Sequence, residues 1–66
     1  MIDASKIGTG FVGTRNDGRV FKGIVQDVRY VDGKGTLIVF RQDDGSHRSV
    51  YAETLTGWDC SPVNQG

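Results

Sequence analysis

Sixty-six residues allow one domain, and eight Lys and Arg against eight Asp and Glu leave the chain formally neutral, so no strong overall field draws it to nucleic acid or a membrane surface. The single cysteine, Cys60, excludes an intrachain disulfide, and with His47 the only histidine, neither a metal site nor a cofactor is expected. Ordering so short a chain costs about 1.5 kcal/mol per residue, which burial only narrowly exceeds, so self-association is the remaining support.

Residues 1–8 read as a flexible lead-in. They carry neither the basic segment nor the apolar segment of a secretion signal, and the longest wholly apolar run is the four residues Leu37, Ile38, Val39 and Phe40. A cytoplasmic protein without a membrane span is the expectation. Gly8-Thr9-Gly10-Phe11-Val12-Gly13 has the spacing of a dinucleotide-binding loop. That loop needs a helix behind it, and Thr14-Arg15-Asn16-Asp17 instead runs into a turn, so the segment reads as a first strand at about residues 10–15. Asn16-Asp17-Gly18 is a hairpin turn, with Gly18 supplying positive φ. Residues 19–31 follow as one β-rich segment.

Extended, those residues would span about 43 Å, too long for a straight strand in so small a domain. The apolar alternation also changes phase: Phe21, Gly23 and Val25 share one parity, Val28 and Tyr30 the other. A bulge near Gln26-Asp27, or a bend at Gly23, would bring both sets to one inner surface. After a turn at Asp32-Gly33-Lys34-Gly35 comes the hairpin around which the chain is organised, residues 35–51, with Asp43-Asp44-Gly45 at its tip. Ala52-Glu53-Thr54-Leu55 suits a single 3-10 turn with Leu55 inward, residues 56–58 a short closing strand, and residues 59–66 a flexible tail.

Three meander turns, a bent second strand and a one-turn helix before the last strand resemble the Src-homology-type small β-barrel, whose layout Tudor, KOW, Sm-like and WYL-associated barrels share. Gly23-Ile24-Val25-Gln26-Asp27-Val28 resembles a strand pattern of such barrels. The stretch from Asp44 through Tyr51, with Glu53-Thr54-Leu55 behind it, resembles their last hairpin strand and 3-10 turn. The resemblance implies an all-β, five-stranded, strongly bent antiparallel barrel over residues 9–58. A shared fold does not carry a function with it.

Catalysis is not expected. Ser46 and His47 are adjacent in a strand and point to opposite faces, His47 and Ser49 lack a third group to orient the ring, and Asp43 and Asp44 read as turn formers. Binding is the expectation, in two forms. In a strand, two of Leu37, Ile38, Val39 and Phe40 must face away from the core. With Leu37 and Val39 inward, Ile38 and Phe40 form an outward interface for a symmetric homo-oligomer or another protein, and the pairs exchange if the phase is reversed. In the alternative, one sheet face carrying Arg29, Arg41 and Arg48 with nearby Tyr30 holds the phosphates and bases of a nucleic acid.

Overall fold

Phe21 and Val25 are buried from one parity of their strand while Val28 packs against the same core from the other. The computed structural model, which describes residues 2–63, shows how. The strand β2 (Val20–Val31) pairs with β3 (Gly35–Arg41) so that Val25 opposes Phe40 but Asp27 opposes Val39. Gln26 is therefore an extra residue, the bulge expected from the change of phase. The remaining strands are β1 (Gly10–Arg15), β4 (His47–Tyr51) and β5 (Leu55–Ser61), with 3-10 turns at Ala4–Lys6 and Ala52–Thr54. All pairings are antiparallel in one five-stranded sheet of order β4-β3-β2-β1-β5. The chain is all-β, as the turn signals imply, but strand pairing does not close the sheet: β4 and β5 remain its two ends.

The bulge also settles the phase of β3. Opposed residues share a face, so the inward pair Val25 and Val28 selects their partners Phe40 and Ile38. Both are 0% exposed, and Thr36 is buried beside them, whereas Leu37 and Val39 are only half-buried. Of the two phases the sequence leaves open, Leu37 and Val39 are the outward pair, and Ile38 and Phe40 face inward. They belong to a core completed by Ile2, Phe11, Phe21, Val25 and Val50. Phe40 is its centre, with the Phe11 ring 5.6 Å away and the Phe21 ring 6.1 Å away, edge-on, the tilted geometries aromatic quadrupoles favour.

Residues that the sequence places in the lead-in and the tail take part in the fold. Ile2 is 2% exposed within the core, and the Gly8 N–H donates to the Val25 carbonyl at 2.8 Å, so the lead-in is packed onto β2. β5 continues past Trp58 to Ser61, which opposes Gly10, and Cys60 packs against the core opposite Phe11. Residues 59–61, expected in the tail, thus belong to a strand, and residues 64–66 lie outside the described residues. Composition hides this because Asp59 and Ser61 are poor strand formers; their pairing is supplied by the full length of β1.

One contact ties the hairpins together across seventeen residues of sequence. Gly35, at φ +101°, opens β3 in a conformation that side chains rarely adopt. A Cβ there would collide with the Glu53 carboxylate. The bare backbone lets that carboxylate accept the Thr36 N–H, at 3.0 Å for Oε1 and 3.3 Å for Oε2. The Ala52–Thr54 turn is thus fixed against the start of β3. Replacing Glu53 with Ala leaves the Thr36 N–H without this acceptor and should lower unfolding free energy by about 1–2 kcal/mol, measured by urea denaturation. Glu53→Gln, which keeps an acceptor oxygen, should lose less.

Candidate protein-binding edge

The strand β4 forms from the second half of the Asp43-Asp44-Gly45 hairpin and, among the described residues, has a neighbour on one side only. The Gln42 N–H donates to the Ser46 carbonyl at 2.8 Å, closing the turn. The register continues with Arg41 opposite His47, Phe40 opposite Arg48, Val39 opposite Ser49 and Ile38 opposite Val50. Hydrogen-bonded and non-bonded pairs alternate in an antiparallel ladder. Arg48 and Val50 are therefore bonded to β3, while the N–H and C=O groups of His47 and Ser49 point away from the sheet. The Tyr51 carbonyl also points away and accepts the Thr54 hydroxyl at 2.7 Å. His47, Arg48 and Ser49 are all exposed, which leaves a short, accessible backbone edge.

The register distributes the arginines over both faces. Arg29 opposes Leu37, and Arg41 opposes Ile24 and His47, so both lie on the outer face. Arg48 opposes Phe40 and Tyr30 opposes Thr36, both on the core side. The single face of Arg29, Arg41, Arg48 and Tyr30 expected from sequence is not formed, because the Gln26 bulge and the β3 phase separate them. Tyr30 is 73% exposed at the far end of β2. Arg29 is also engaged, its Nε donating to Asp27 Oδ2 at 2.9 Å. That bond holds the Asp27 carboxyl below the usual carboxylate range.

On the core side Arg48 does find an aromatic partner. Its guanidinium carbon stands 5.4 Å from the centre of the Phe21 ring, and that of Arg15 stands 5.1 Å from the same ring. Arg15 also pairs with Asp17 at 2.6 Å. Asp17 accepts the Arg19 N–H at 3.0 Å as well. The Arg15 bond, then the Arg19 bond, lower the Asp17 pKa from 3.8 to about 2. Sequence reasoning missed Arg15 and Arg19 as a facing pair. The signal was present, since the residues flanking a three-residue hairpin loop oppose each other. The Arg15 N–H indeed donates to the Arg19 carbonyl at 2.8 Å.

An open depression of about 300 Å³ on the outer face is lined by Val12, Lys22, Ile24, Asp43 and Asp59 among others, so its lining holds one ammonium and two carboxylates. Among the described residues no three His, Cys, Asp or Glu side chains gather as a metal site, and no helix is long and apolar enough to cross a membrane. No family model, curated protein or solved structure matches the chain.

Hydrogen exchange followed by NMR should find the amides of Arg48 and Val50 protected and those of His47 and Ser49 fast; the opposite pattern would shift the ladder by one residue. Asp17 should titrate with a midpoint near 2. Because its folded pKa lies below its unfolded value, its contribution to stability is present above about pH 4 and is lost as pH falls towards 2. Asp17→Asn should remove that acid-dependent part of the unfolding curve.

Proposed function

We propose that this chain is a non-enzymatic binding module that holds an extended segment of a protein along the open edge of β4. The observation that carries the reading is the edge itself: backbone donors and acceptors at His47 and Ser49 in an exposed strand with no second neighbour among the described residues. A strand added there gains main-chain hydrogen bonds, and its side chains alternate against the two faces of the sheet. Catalysis finds no support beside it, because the Ser46 hydroxyl is held by Gln42 and Asp44 rather than by His47. The nucleic-acid reading is weaker now that its four residues fall on two faces and Arg29 is tied to Asp27. The free, part-buried Cys60 fits a reducing compartment, and a cytoplasmic location belongs to the same proposal.

Of the two forms such binding takes, self-association and capture of a different protein, Arg48 favours the second. Two β4 strands paired antiparallel through His47 and Ser49 would make the two Arg48 side chains direct or diagonal neighbours on one face. Like charges so placed are destabilising. Leu37 and Val39, the outward pair of β3, are half-buried and offer a second copy only a small apolar surface. Light scattering at micromolar to millimolar concentration should accordingly return the monomer mass of 7.2 kDa. A blocked strand-forming peptide, Thr-Val-Gln-Val-Thr, should slow amide exchange at His47 and Ser49 and leave Arg48 and Val50 unchanged. Protection appearing only at β5, or nowhere, defeats the reading.

A further inference from the structure

The corner beside that edge carries more positive charge than its own carboxylate offsets. Arg15 and Arg19 oppose each other across the first hairpin, an arrangement that costs stability unless something neutralises it. Asp17 forms an ion pair with Arg15 alone; its contact with Arg19 is to the backbone N–H. Arg48 reaches the same corner from β4. Among the described residues the salt bridges are Arg15 with Asp17 and Arg29 with Asp27, so neither Arg19 nor Arg48 has a carboxylate partner. The site is also preorganised, because two guanidinium groups rest against one ring that is itself 3% exposed. Arg stacked on an aromatic loses less freedom when it binds than a free side chain does.

We infer that the β4 edge selects an acidic segment, seating one carboxylate against Arg48 and Arg15 beside Phe21. The inference rests on the edge-binding reading and names the chemistry of its partner. In a strand laid along β4, the residue opposite Arg48 shares its face, with Cβ atoms about 5 Å apart. A Glu or Asp at that place meets the guanidinium on the core side, while its neighbours meet the outer face. Charge-assisted pairing of this kind is directional, and Arg presents its donors as a fork that fits a carboxylate. A nucleic acid fits less well. The Phe21 ring is buried and has no face for a base, and the unpaired N–H and C=O groups of β4 match a peptide backbone.

The test uses the whole chain, labelled with nitrogen-15, and two blocked peptides, Thr-Val-Glu-Val-Thr and Thr-Val-Gln-Val-Thr, with oligodeoxythymidine as the third probe. The Glu peptide should bind about tenfold more tightly than the Gln peptide. It should move the Arg15 and Arg48 side-chain resonances together with the His47 and Ser49 amides. Arg48→Gln should abolish the preference for the Glu peptide, with the dispersed amide spectrum of the five strands retained to show that the variant is folded. Equal affinity for the two peptides overturns acid selection and leaves edge binding standing. No binding of either peptide overturns both. Stronger shifts at Arg15 and Arg48 with oligodeoxythymidine than with the Glu peptide replace the inference with phosphate recognition.

Discussion

Gln26 stands outside the ladder between β2 and β3, and most of the fold depends on that one unpaired residue. Without it, Val25 and Val28 would face opposite sides of the sheet, because successive side chains alternate. With it, both face inward, and Phe40 and Ile38 follow them through the register. The core of Phe11, Phe21, Val25, Ile38, Phe40 and Val50 is then drawn from four strands around one ring. The first half of β2 pairs with β1 as far as Ile24, and from Ile24 onward the strand pairs with β3. Gly23 supports the bend from the other side, since a Cβ there would run into the Arg41 carbonyl. A bulge and a close glycine together are how a long strand turns a corner.

An open sheet carries a liability as well as an opportunity. Unpaired strand edges invite uncontrolled association, and proteins blunt them with short edge strands and charges turned towards the core. β4 uses both devices: it is five residues long, and Arg48 points to the core side, over Phe21. A symmetric copy is repelled by that charge, and a neutral strand gains nothing from it. An acidic strand is attracted. On the proposed reading, the feature that protects the edge would also confer selectivity, specificity by exclusion as much as by affinity.

Much of this architecture is legible in the residues themselves. The three Asp- and Gly-bearing turns delimit the strands to within a residue or two, because turn chemistry is local. The change of parity between Val25 and Val28 is enough to place a bulge between them, since a regular strand cannot turn both inward. The corner of Arg15 and Arg19 is likewise implied by the Asn16-Asp17-Gly18 loop between them. The two ends of the chain are harder to read. Ile2 and Cys60 look peripheral in sequence, and only the packing of the lead-in on β2 and of β5 along β1 buries Ile2 and half-buries Cys60.

Local pattern by itself thus determined the all-β class, the order of strands and turns, and the presence of a kink in the second strand. Each of these follows from alternation and turn preference, which act over a few residues. Tertiary structure decided which parity of Leu37, Ile38, Val39 and Phe40 faces the core, since an unbroken apolar run has no preferred side until a neighbour imposes one. It decided that Glu53 meets Thr36 and that Arg15 and Arg48 share Phe21, contacts between residues far apart in the chain. It also decided that β4 ends the sheet, because whether a strand gains a second neighbour depends on where the other end of the sheet arrives.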